Sequence, residues 1–202
     1  KAVASTKAAS SQLALLVLLA YALSGEEDAA RRLLVRAAAG IRSWLSPALL
    51  KKIEKTAGKF VTREHLYIIG KSLYFPVALE AALKIKEVSY MHAEGLASGE
   101  LKHGTLALIE EGTPCMVFIA NDMFKDDLLG SASELKARGA FLIGISPERH
   151  PVFDEWIEVP DLKEASPLTH IIAAQIFAYY LALKRGHNPD MPRNLAKSVT
   201  VK

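Results

Sequence analysis

His65-Leu-Tyr-Ile-Ile-Gly70 is the stretch on which the fold turns. Four apolar residues lead into a glycine with no polar residue between them, which reads as a short strand buried on both faces. A helix is expected next, over residues 76–90, where Ala78, Ala81, Ala82, Ile85 and Val88 fall on one stripe at helical spacing. Three more short apolar runs follow at residues 115–120, 141–146 and 156–159. A helical stretch, 125–138, lies between the first two of these and is closed by Gly139. The last helix is expected over 167–185, with Ser166 as its cap and Gly186 as its stop. Strands of this kind alternating with helices predict an α/β sandwich, with a mostly parallel sheet covered on both faces, across residues 65–190.

Upstream the pattern differs. Residues 5–56 read as helical throughout: an apolar run at 13–23 ends near Ser24-Gly25, an Ala/Arg/Leu-rich segment covers 28–43, and Ser46-Pro47 restarts a helix with Ser as cap and Pro at its first position. No strand is expected before residue 65. Three helices without a sheet of their own suggest the trailing edge of another unit followed by a linker. The chain begins at Lys1 rather than Met, so a fragment or a processed product is expected.

Composition narrows the function classes. Half of the 202 residues are hydrophobic, enough for a sizeable core. The net charge is only +3 and no basic stripe is present, so nucleic acid is not an expected partner. The longest apolar run, 13–23, is too short to span a bilayer, and no secretory leader is visible, so no membrane partner is expected. The lone Cys115 sits in an apolar run and reads as a small hydrophobe within a strand. It suits a reducing cytoplasm.

The residues suited to chemistry cluster late in the predicted 76–90 helix and just beyond it. Glu80, Lys84, Glu87 and Met91 share a face distinct from the sheet-facing stripe, and Lys84 and Glu87 are close enough to pair. An ordinary solvated ion pair is the bland reading of that face. It runs, however, into a glycine-punctuated segment, residues 93–104, with no clear secondary structure and with Glu94, Glu100, Lys102 and His103 on it. Histidine is well poised for proton transfer near neutral pH, and His103 is equally readable as an exposed surface residue. His92, Glu94, Glu100 and His103 lack the spacing of a helical zinc site, so no metal is expected. Gly70-Lys71-Ser72, between a strand and a helix, sits where phosphates bind but lacks a full glycine fingerprint.

Four segments together resemble the isomerase domain of the glucosamine-6-phosphate synthase (glutamine:fructose-6-phosphate aminotransferase) family, which consists of two sugar-isomerase (SIS) lobes. They are Val3-Ala-Ser-Thr-Lys-Ala8, Ala78-Leu-Glu-x-Ala-Leu-Lys-x-Lys-Glu87, Gly99-Glu-Leu-Lys-His-Gly104 and Pro192-Arg-Asn-Leu-Ala-Lys-Ser-Val-Thr-Val201. The resemblance implies that residues 1–24 end the first lobe, 25–57 form a helical linker, 58–190 form the second lobe and 191–202 form an active-site tail.

Roles follow from the same resemblance. Lys197 would form a Schiff base with the open-chain keto sugar phosphate, and Glu87 would shuttle a proton between C1 and C2. His103 would assist ring opening from the neighbouring subunit, which implies a homodimer. Lys84 would lie beside Glu87, and Val3, Ser5 and Ala196 would line the pocket. A Schiff base needs a neutral amine, so Lys197 would have its pKa lowered from about 10.4 by desolvation or a cationic neighbour. No cofactor is implied.

The departures are specific. Ala2 stands where the family has glycine, Lys71-Ser72 replaces Arg-Gly, and Thr105 replaces proline. The matched segments do not include the family's glutaminase domain or most of the first lobe, so this chain alone is expected to lack a phosphate anchor and an ammonia source. Two other readings share the Glu87 and His103 positions: an SIS-family amino-sugar-phosphate deaminase or isomerase without a glutaminase domain, and a non-catalytic module that senses a sugar phosphate.

Overall fold

The computed structural model describes residues 3–196. Three helices come first: α1 (Lys7–Leu23), α2 (Glu27–Trp44) and α3 (Pro47–Gly58). The remainder runs β1 (His65–Gly70), α4 (Tyr74–Ser89), β2 (His92–Ala97), β3 (Pro114–Phe118), α5 (Lys125–Lys136), β4 (Phe141–Ser146), β5 (Glu155–Glu158) and α6 (Ser166–Lys184). Two 3₁₀ segments, Ser98–His103 and Thr105–Leu108, lead from β2 toward β3.

The five strands lie in the order β2-β1-β3-β4-β5, and every neighbouring pair is parallel. Alternate side chains serve two cores. Leu66 and Ile68 of β1, with Met116 and Phe118 of β3, pack among α3, α4 and α6. Tyr67 and Ile69, with Cys115 and Val117, pack on the other face against Leu128, Ala132 and Leu135 of α5. Each large apolar side chain fully buried in this way contributes about 1.5–3 kcal/mol. The predicted sandwich is therefore the one that forms, and the predicted stripe of α4 is the face it buries.

Local signals worked where they were strong. The Ser46 hydroxyl accepts a hydrogen bond from the Leu49 amide, with Pro47 opening α3, and Leu49, Ile53 and Ala57 carry that helix into the main core. Gly186, at φ 76, stops α6. Ser166 differs from expectation. It is the first residue of α6 rather than its cap, because the 3₁₀ turn Lys163–Ala165 already brings the backbone into helical conformation. Its hydroxyl instead accepts from the Leu162 amide at 2.7 Å.

The larger correction concerns residues 93–104. Most of the first half of this segment is strand β2, paired with β1 from His92 to Ala97. It is an edge strand, so His92 and Glu94 remain exposed, and the apolar run that betrays an inner strand is absent. Gly95 is needed there, since a Cβ would lie 2.7 Å from the backbone of Ala78 in α4.

α6, with the turn before it, is long and apolar enough to cross a membrane, yet 67% of its apolar 18-residue window is buried inside the protein as a core helix. α1 has no fully buried residue, and Leu15, Leu16, Leu19 and Leu23 are exposed along it.

Candidate active site

α4 runs antiparallel to the strands, so its last turn lies at their N-terminal end, beside edge strand β2. That turn carries Lys84 and Glu87. Lys84 Nζ lies 2.6 Å from Glu87 Oε2 and 3.4 Å from Glu80 Oε1. The solvated face that the bland reading predicts is not what forms: the Lys84 side chain is only 4% exposed and that of Glu87 21%. Burying an ammonium ion costs several kcal/mol unless it is paired, and two carboxylates here supply the pairing.

Two distant segments close over this pair. On one side, Ala4 and Thr6 from the amino-terminal strip join Lys84, Val88, Tyr179 and Asp190 around a cavity of about 150 Å³. Val3 and Ser5 flank those residues and are half-buried. On the other side, Lys86, Glu87, His92, Arg193, Asn194 and Leu195 line an open cleft of about 460 Å³. Ala196 is exposed at the end of the described chain. The tail residue Lys197 lies outside the described residues.

The strip after α6 is pinned by Tyr90, the αL C-cap of α4 at φ 58. The Arg193 amide donates to Tyr90 Oη at 2.8 Å, and the Arg193 guanidinium lies 4.2 Å from the centroid of the Tyr90 ring. The His187 ring packs against Tyr90 at 4.5 Å. Burial, together with the Arg185 and Arg193 charges, holds the His187 imidazole below its ordinary pKa. Nothing in the sequence flagged Tyr90 or Arg193 as partners, because they are far apart in the chain and neither belongs to a periodic pattern.

His103 is elsewhere. It ends the 3₁₀ segment that follows the C-terminal end of β2, its side chain is 70% exposed, and its Nδ1 lies 2.9 Å from Glu100 Oε2. A six-residue strand spans about 20 Å, so within one chain His103 and Glu87 are held apart. Lys71, the cation of the candidate phosphate turn, is paired with Asp127 and lies over the Phe124 ring. Among the described residues, no group of three or more His, Cys, Asp or Glu side chains is placed to hold a metal ion. Cys115 is fully buried in β3, where desolvation pushes its thiol up to about 12, so it is a packing residue.

In a parallel five-stranded sheet between helical layers, the end of the first crossover helix thus carries a paired carboxylate and lysine. Residues 59–185 match the SIS domain family, and the chain belongs to it. The chain is 42% identical over 207 residues to the isomerizing glutamine–fructose-6-phosphate aminotransferase of Listeria innocua, covering 99% of this chain and 34% of that protein. The chain therefore spans about a third of that relative's length. Among solved structures it resembles the C-terminal domain of glucosamine-fructose-6-phosphate aminotransferase from Francisella tularensis, with a TM-score of 0.84 and 33% identity over 94% of this chain and 57% of that one. Glucosamine-6-phosphate deaminase from Thermotoga maritima is also similar, with a TM-score of 0.74 and 27% identity over 98% of this chain and 58% of that one.

Proposed function

We propose that this chain is the carboxy-terminal isomerase portion of an aminotransferase that makes glucosamine 6-phosphate from fructose 6-phosphate and glutamine. The observation that carries the reading is the convergence on one buried ion pair, Lys84–Glu87, of strips from both ends of the chain. In this reading residues 1–24 close the first SIS lobe, 25–57 link the lobes, 58–190 form the second lobe and 191–202 form the active-site tail. The protein acts in the cytoplasm as a homodimer.

The chemistry divides among named residues. The Lys197 amine condenses with the C2 carbonyl of the open-chain ketose, and the carbonyl oxygen leaves as water. Ammonia released from glutamine elsewhere in the protein then adds at C2 and frees the lysine. Glu87 removes a proton from C1 and returns it to C2, while the O1 hydroxyl proton passes to the nitrogen, giving the 2-amino aldose. Lys84 holds the Glu87 carboxylate in place through their 2.6 Å contact. His103, from the partner subunit, assists opening of the sugar ring. Val3, Ser5 and Ala196 line the pocket.

The test is solvent exchange. In deuterated buffer, a version of the chain carrying a complete first lobe should move deuterium into C1 and C2 of the sugar phosphate, and Glu87→Gln should stop it. Retention of exchange by Glu87→Gln would remove Glu87 from its role. A deaminase without a glutaminase domain is the second reading, favoured by the similarity to the Thermotoga maritima enzyme. Use of free ammonia with no response to glutamine, in the longest natural form of the protein, would select it.

A further inference from the structure

We infer that Tyr90 is a positioning residue for the carboxy-terminal tail: it fastens Arg193 to the Glu87-bearing end of α4 and so sets the tether on which the tail lysine acts. The consequence for Lys197 rests on the proposed Schiff-base reading, whereas the fastening stands on geometry alone. Three contacts converge on one side chain. The hydroxyl accepts from the Arg193 amide, the ring face takes the Arg193 guanidinium, and the ring also packs against His187. The backbone of Tyr90 is left-handed, a conformation that costs a non-glycine residue about 1–2 kcal/mol. This bulky side chain is thus held at a strained cap, where glycine would end the helix more easily.

The strip that Tyr90 grips is preordered. Asn188 accepts from the Asp190 amide through its side chain and from the Met191 amide through its carbonyl, and Pro192 is buried. Tyr90 follows Glu87 by three residues, so the grip lies about one helical turn, ~5 Å, from the carboxylate along the axis. Arg193 precedes Lys197 by four residues, and four residues reach no more than about 14 Å. Fastening Arg193 therefore shortens the tether on which Lys197 acts in the proposed reading to four residues. Without it, the whole strip after α6 is the tether.

Amide hydrogen exchange of Arg193, measured by NMR on this chain, tests the fastening without reference to catalysis. Tyr90→Phe keeps the ring and loses the acceptor, and should speed that exchange roughly fivefold, the worth of one hydrogen bond. Tyr90→Gly also loses the ring contacts while relieving the backbone, and should speed it by about twentyfold or more. Core amides in β1 and β3 should be unchanged in both variants, which separates a lost grip from a damaged fold. Unchanged Arg193 exchange in Tyr90→Gly overturns the inference.

Borohydride trapping with fructose 6-phosphate, in a version carrying a complete first lobe, tests the consequence. The Lys197 adduct should fall severalfold in Tyr90→Gly and be largely restored in Tyr90→Phe. An undiminished adduct in Tyr90→Gly overturns the positioning role. Absence of an adduct in the unsubstituted protein counts against the Schiff-base reading instead, and the exchange result still decides the fastening.

Discussion

Glu87 and His103 stand at opposite ends of the sheet, Glu87 in the last turn of α4 beside the start of β2 and His103 beyond the end of that same strand. One chain cannot bring them to one sugar without breaking β2. If both serve the reaction, the site is shared between two chains. Inactive Glu87→Gln and His103→Ala proteins, mixed and allowed to exchange subunits, should then recover about a quarter of full activity, since half the dimers are mixed and each has one intact site. No recovery, with subunit exchange verified, would contradict a site shared between two chains.

The Lys84–Glu87 pair makes an asymmetric stability prediction. Glu87→Gln leaves a buried ammonium with only Glu80 at 3.4 Å, whereas Lys84→Met leaves two partly exposed carboxylates that water can reach. Glu87→Gln should therefore cost about 1–2 kcal/mol and Lys84→Met about 1 kcal/mol or less. Urea midpoints of the two variants check the order.

Ser72 occupies a left-handed backbone position at φ 53, where the family resemblance leads one to expect glycine. Replacing it should remove strain of about 1–2 kcal/mol and add a smaller unfolded-state entropy cost. Ser72→Gly should raise stability by about 0.5–1 kcal/mol, visible as a rise in Tm.

His170 is fully buried between Tyr74 and Phe118, with Nδ1 2.9 Å from the Ser166 carbonyl and Nε2 3.0 Å from the Ile119 carbonyl. Burial drives its pKa below the ordinary 6.5, against the opposing pull of the carbonyls that favour the charged ring. The unfolded chain takes up this proton below about pH 6.5 while the folded chain resists it, so stability is intact above that pH and falls as pH drops through it. Urea unfolding between pH 7.5 and 5 should show this slope, and His170→Gln should flatten it.

How much of this was legible in the chain follows from where the physical signal is local. Inner strands such as β1 and β3 are buried on both faces and announce themselves as unbroken apolar runs. Edge strand β2 has one open side, so His92 and Glu94 hide it. The stripe of α4 was readable from helical spacing, but the burial of Lys84 was not, because the residues around it, among them Ala4, Tyr179 and Asp190, are distant in sequence. Tyr90 and Arg193 meet across more than a hundred residues with no pattern to pair them. The Ser46-Pro47 cap, by contrast, acts within one turn and was readable directly.

The most direct test of the account is borohydride reduction in the presence of fructose 6-phosphate, followed by peptide mass mapping, on a version carrying a complete first lobe. A reduced sugar adduct on Lys197 is expected, retained in Glu87→Gln, which forms the Schiff base but cannot move the proton. A well-folded protein that turns over sugar phosphate and gives no adduct on Lys197 would contradict it.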